Sequence, residues 1–202
     1  MPLHRPLICL ASLAVLAGCA SNPIEAQWSD PQLTANAPLK GARVLVVCEA
    51  QDEVLRRICQ DSVGAELAKV GVSPVAAPDV GTTTSAPGGP APYVSAAKAA
   101  NAKAVLVTSI APGQTVARPG FTVGLGVGGF GGGLGGGVGV SAPVGGTRVA
   151  TSYAANASLT DTSTGRLMWT ARTSEPPTEL VSAQVATLAK KVVAGAGQAG
   201  LY

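Results

Sequence analysis

Histidine occurs once in these 202 residues, at His4, and the four cysteines stand at positions 9, 19, 48 and 59. These side chains are the common nucleophiles, bases and metal ligands, so their fate decides which chemistry remains. The N-terminal segment places His4 and Arg5 ahead of the apolar run Leu7 to Val15, and then reaches small residues. A basic n-region, an apolar h-region and a small-residue cut site describe a secretory signal peptide over residues 1–18. Its removal leaves a mature chain without histidine. That excludes a Ser-His-Asp triad, a Cys-His pair, a histidine base and any histidine-containing zinc site. A carboxylate pair would be the alternative, but Glu49, Asp52, Glu53, Asp61 and Glu66 are spread around one helix, the pattern of a solvated face. The expectation is a non-enzyme with no catalytic, cofactor-binding or metal-binding residues and no cofactor.

The cut site itself, Leu16-Ala17-Gly18-Cys19, resembles the lipobox of bacterial lipoproteins. The resemblance implies cleavage before Cys19 and acylation of its sulfur and new amino group, with palmitate among the chains expected. A transmembrane helix needs about 20 apolar residues, more than this run supplies. An ordinary cleaved signal fits too, but has no need of a cysteine after the cut. Each buried methylene contributes about 0.8 kcal/mol, so several acyl chains on one cysteine make a stable anchor. Ala20 and Ser21 follow, with no aspartate. By resemblance to enterobacterial sorting, this favours the outer membrane, with the domain facing the periplasm.

Cys9 leaves with the signal and Cys19 carries the lipid, which isolates Cys48 and Cys59 as a pair. An oxidising compartment suggests a disulfide between them. Two buried thiols are the alternative, since a free cysteine packs as a small hydrophobe. Position favours the bridge: Cys48 ends a strand and Cys59 lies on the apolar stripe of the following helix.

The positioning elements read in order. Residues 19–40 contain Pro23, Pro31 and Pro38 without sustained periodicity, a lipid-anchored tether in which Trp28 docks either on the domain or at the membrane interface. A single domain then spans residues 41–202. Val44 to Val47 form a strand buried on both faces. Asp52 caps a helix whose stripe is Leu55, Ile58, Cys59, Ser62, Val63, Leu67 and Val70, and Gly71 stops it. Val72 to Ala76 form a second strand, residues 81–92 a loop, Val94 to Ala102 a short helix, and Ala104 to Ile110 a third buried strand. Strand-helix alternation argues for parallel pairing through right-handed crossovers. Two antiparallel strands follow, the first on Val149 to Leu159, the second on Leu167, Trp169 and Ala171, joined at Asp161 to Gly165. Pro176 and Pro177 are expected to end the second strand. A last helix carries Val181, Val185, Leu188 and Val192, with Glu179 in its first turn and Lys190 and Lys191 near its end.

Between these halves, residues 119–146 form a glycine-rich insert. Its Gly124 to Gly129 matches Gly-x-Gly-x-x-Gly, but no helix follows to receive a dinucleotide phosphate. The readings are a mobile loop, a hairpin ordered by a partner or by self-association, and a membrane-spanning hairpin; the loop is the expectation, with a domain that folds without it. The fold class is therefore α/β (α+β): a mixed sheet in the order β-α-β-α-β-insert-β-β-α, in two or three layers.

That order resembles the periplasmic α/β domains of the penicillin-binding-protein activator lipoprotein, the curli-secretion lipoprotein and the N-terminal domain of the translocation protein TolB. The resemblance spans about residues 41–194. It rests on element order, on Asn101-Ala-Lys-Ala-Val-Leu-Val and on Leu159 to Trp169. It implies fold and compartment and no functional residue. Loss of Arg5 from the 14 basic residues leaves 13 against 11 acids, scattered, which is no nucleic-acid footprint. The expected contacts are the membrane, through the lipid, and an envelope protein partner, with homo-oligomerisation in a secretion or transport assembly as the alternative.

Overall fold

The computed structural model describes residues 24–33, 38–78, 91–118, 122–125, 140–143 and 148–202. Strand β1 spans Ala26–Ser29, β2 Arg43–Glu49 and β3 Ser73–Ala76, with helix α1 (Glu53–Lys69) between the last two. A 3-10 turn at Ala91–Tyr93 leads into α2 (Val94–Ala99) and then β4 (Ala104–Arg118). The short strands β5 (Thr122–Leu125) and β6 (Val140–Pro143) precede β7 (Arg148–Asp161), β8 (Leu167–Thr178) and α3 (Val181–Gln198). Six strands make one sheet in the order β1-β8-β7-β4-β2-β3, and β5 pairs with β6 separately. This is the mixed α+β sheet expected, with β2 parallel to both β3 and β4 and the rest antiparallel.

β3 and β4 flank β2 on opposite sides, so two crossovers of the same hand must put α1 and α2 on opposite faces of the sheet. The core divides accordingly. Val44, Val46 and Cys48 of β2 point with Leu106, Leu159 and Trp169 towards α1 and α3. Leu45 and Val47 point with Val105 and Val107 towards Ala97 of α2. The continuous apolar run of β2 is thus explained by burial on both faces. Three layers cover the parallel half of the molecule, whereas α3 backs β7 and β8 on one side only among the described residues.

Local signals act as their chemistry dictates. Asp52 caps α1, its Oδ1 accepting from the Leu55 N–H at 2.9 Å. Gly71 takes φ +80° just past the helix, and Gly165 takes +71° in the β7–β8 turn. α2 is shorter than expected: the Ala102 N–H turns back to the Ala97 carbonyl at 2.8 Å, and Asn101 adopts φ 51°.

Four expectations need correction. Residues 24–33 are not tether: β1 pairs antiparallel with β8, and Ile24 and Leu39 are core residues. The Leu39 N–H also donates to the Leu201 carbonyl at 3.0 Å, tying this segment to the C-terminus. β4 runs well beyond Ile110, because β7 continues to pair with it out to Arg118 opposite Arg148. Pro176 and Pro177 do not end β8. They occupy a bulge, where Glu175 pairs with Tyr153 and Thr178 with Thr151, so β8 carries one more residue than β7 and needs no ladder N–H from either proline. Finally, Glu179 precedes the N-cap Leu180, and α3 runs to Gln198, leaving Lys190 and Lys191 in its interior. There Lys191 Nζ meets the Ser174 carbonyl at 2.9 Å and Glu175 at 2.6 Å, so tertiary pairing positions it and not the helix end.

The loop expected over residues 81–92 lies largely outside the described residues, as do the expected signal peptide over residues 1–18 and Cys19. Of the glycine-rich insert, the described parts form a hairpin-like pair, with Val123 opposite Ala142 and Leu125 opposite Val140.

Candidate functional site

Cys48 and Cys59 form a disulfide with Cα atoms 6.0 Å apart. β2 presents Cys48 at its C-terminal end on the α1 side, and the helical period puts Cys59 on the inward stripe with Val63 and Leu67. Both cysteines are buried, so the bridge ties strand to helix within the core.

One residue on, Glu49 points to the opposite face. Its Oε1 accepts from the Tyr93 hydroxyl at 3.0 Å, and its Oε2 accepts from the Ser109 hydroxyl. Partial burial raises the Tyr93 phenol above its usual pKa, and the neighbouring Glu49 carboxylate raises it further. A phenol held protonated beside a carboxylate is a structural clasp, here joining the α2 entry to the sheet. It supplies no nucleophile near neutral pH. The other acids expected on a solvated face are there: Glu53 pairs with Arg56 and Arg57, and Glu66 with Lys69. The hydrogen bonds from Arg56 and then Arg57 lower the Glu53 pKa.

From Glu49 a row of facing residues crosses the sheet. The register sets Glu49 beside Ser109, Ser109 beside Asn156, Asn156 beside Arg172 and Arg172 beside Ala26. The adjacent row sets Trp28 beside Thr170 and Thr170 beside Ser158. Among the described residues no helix covers this half of the face; Asn156 and Arg172 are exposed, and Trp28 is 46% exposed. It is a flat polar surface with one aromatic, not a cleft.

The second exposed feature is an arm. Beyond a bulge at Pro112–Thr115, β4 and β7 continue as a two-stranded ribbon. The Gln114 N–H is held there by the Ser152 hydroxyl at 2.7 Å. Ala111 to Ala117 are all exposed, including Val116 at 40%. A shallow depression elsewhere is lined by Lys98, Asn101, Lys103, Thr162 and Ser163, and its Ser163 hydroxyl is taken up by Asp161 Oδ1 at 2.6 Å in the β7–β8 turn. Among the described residues no group of three or more His, Cys, Asp or Glu could hold a metal, and no helix is long and apolar enough to cross a membrane.

Sequence reasoning missed two buried glutamines. Gln60 Nε2 donates to the Val46 carbonyl at 3.1 Å and to the Ala77 carbonyl at 3.2 Å, stitching β2 to the end of β3. Gln184 Nε2 donates to the Thr151 carbonyl at 3.0 Å and to the Pro176 carbonyl at 2.6 Å, closing the β8 bulge. Each had a signal: a polar residue at a core-facing position of an apolar stripe has backbone partners to satisfy.

No family model matches the chain, and no curated protein matches it. Among solved structures it is similar to the PelC dodecamer from Paraburkholderia phytofirmans, at 16% identity and a TM-score of 0.49, covering 83% of this chain and 92% of that one. It is similar also to lipoprotein GNA1162 from Neisseria meningitidis, at 16% identity and a TM-score of 0.43, covering 78% of this chain and 99% of that one. At these identities the likeness concerns the course of the backbone alone.

Proposed function

We propose that this chain is a non-enzymatic, lipid-anchored lipoprotein that works on the periplasmic side of the outer membrane, binding or scaffolding an envelope partner. The observation that carries the reading is the disulfide between Cys48 and Cys59, which fits an exported, oxidised protein and leaves Cys19 of the lipobox as the thiol for acylation. The lack of histidine after His4 and the ion-paired, solvated acids support a binding role over a catalytic one. Metabolic labelling with a radioactive fatty acid tests the anchor. Label and normal processing are expected in the native chain and are lost in Cys19→Ser; a Cys19→Ser chain cut and labelled as before refutes it.

The exposed β4–β7 arm favours a second reading, an oligomeric component of a secretion or transport assembly that uses the arm and its glycine-rich insert as the contact between copies. Sizing the acylated protein in mild detergent separates the two. A monomer supports the partner-binding scaffold, and a large closed assembly supports the second reading.

A further inference from the structure

We infer that the uncovered sheet face beside β1, centred on Trp28, rests on the phospholipid surface. The inference deepens the reading of a Cys19 lipid anchor and rests on it. Its starting point is Ile24, which is 6% exposed and packed against Trp169 and Gly195, so the N-terminal strand is fixed to the domain from that residue on. Only five residue steps separate Cys19 from Ile24. At most about 3.6 Å per residue, they reach roughly 18 Å even when fully extended. A leash that short keeps the domain at the bilayer, and the surface beside its attachment point is the surface that faces lipid.

That surface has suitable chemistry. Trp28 lies four residues beyond Ile24 on an edge strand, and the register places it on the helix-free face with Thr170. An indole combines a large apolar body with one N–H donor, the combination enriched at membrane–water interfaces. Arg172 belongs to the next row of the same face, with its side chain 62% exposed and Glu25 at 3.7 Å. A guanidinium in that position meets lipid phosphates, while Ser158 and Asn156 supply hydrogen-bonding groups for the headgroup layer.

The two tryptophans make the test direct, since Trp169 is fully buried and Trp28 alone reports on the surface. The acylated full-length mature protein is placed in phosphatidylethanolamine–phosphatidylglycerol vesicles, with bromine on the acyl chains in one sample. The expected result is a blue shift of the Trp28 emission, strong loss of that emission with brominated lipid, and protection from aqueous iodide. Trp28→Phe should remove the quenchable component and leave the Trp169 signal. Emission from Trp28 that stays open to iodide and insensitive to bromine overturns the inference. So does iodide protection that grows with protein density without bromine quenching, which shows that a second copy covers the face. If fatty-acid labelling shows no acylation at Cys19, the anchor reading fails separately. The geometry is then tested by coupling the Cys19 thiol of the mature chain to a maleimide lipid in the same vesicles, with the same two outcomes. Inserting ten Gly and Ser residues between Ser21 and Pro23 should weaken bromine quenching; quenching unchanged by the longer leash refutes the leash argument.

Discussion

A methyl group placed on Gly195 would lie 2.7 Å from Cγ1 and 2.9 Å from Cδ1 of Ile24, so the N-terminal strand is seated in a notch that only glycine leaves open. The same methyl would stand 3.3 Å from Cζ2 of Trp169. Gly195→Ala should therefore act chiefly on the strap. Overpacking costs about 1–3 kcal/mol, and the better helix propensity of alanine returns up to about 1. Faster protease cleavage near residues 24–33, with only a modest loss in urea stability, is the expected outcome. Unchanged cleavage would mean that Ile24 is not what secures the segment.

Loss of the core disulfide should be costly. The bridged residues are 11 apart in sequence, and the chain-entropy account gives about 3 kcal/mol for closing a loop of that size. Urea titrations of Cys48→Ala with Cys59→Ala, against the oxidised native chain, should show an unfolding free energy lower by that amount, which at about 1–3 kcal/mol per M of urea is a midpoint lower by about 1–3 M. Equal midpoints would show that the bridge contributes no stability.

Asp161 organises the β7–β8 turn. Its Oδ1 accepts from the Ser163 N–H at 3.0 Å and hydroxyl at 2.6 Å, and from the Thr164 N–H at 2.7 Å and hydroxyl at 2.9 Å. Partial burial alone would raise this carboxyl, but these hydrogen bonds outweigh it and lower the pKa. The pKa is lower folded than unfolded, so the stabilisation is complete above about pH 4 and fades as pH falls through the folded value. Asp161→Ala should cost about 1–3 kcal/mol at neutral pH, and the gap from the native chain should close in acid. A gap that stays constant down to pH 2 would refute the assignment.

Gln60→Leu keeps the volume and removes the donor to the Val46 and Ala77 carbonyls. Two carbonyls lose a buried partner, a cost of about 1–3 kcal/mol. Hydrogen exchange should rise first in β3, where the Ala77 N–H bonds the Val46 carbonyl at 3.0 Å. Faster exchange throughout the sheet, with no preference for β3, would argue against a local stitch.

Replacing residues 119–147 by a short turn between Arg118 and Arg148 should leave the domain cooperative, because the main sheet is complete without β5 and β6. A broad, non-cooperative melt would place the insert in the core.

The legible parts of the fold were those governed by local chemistry. The apolar run of β2, the Asp52 cap, Gly71 and the Asp161–Gly165 turn act through neighbours a few residues away. The misread parts depend on distant partners. Nothing local in Ala26–Ser29 announces a strand; Arg172 and Thr170, far along the chain, make it one. Pro176 and Pro177 are strand breakers by themselves and are tolerated because Gln184 and the bulge take over the carbonyls and spacing. The disulfide was legible because strand and helix positions were. The clasp of Tyr93 and Ser109 on Glu49 was not, since it joins three elements distant in the chain and Glu49 reads locally as one of the solvated acids of the following helix.

The pairing of β4 with β7 carries a kinetic consequence. Its innermost described contact, Arg118 with Arg148, encloses some 30 residues, against about four in a tight hairpin. Loop closure scales as 1.5RT times the logarithm of length, so the insert adds about 2 kcal/mol to the entropy of first contact. As the chain emerges from its N-terminus, β4 appears well before its antiparallel neighbour, leaving one edge of the Val105–Val107 segment open until β7 arrives. Within the spacer β5 and β6 pair with each other and not with β4, which leaves that waiting edge to β7. What the chain loses in closing speed it regains in fidelity of register.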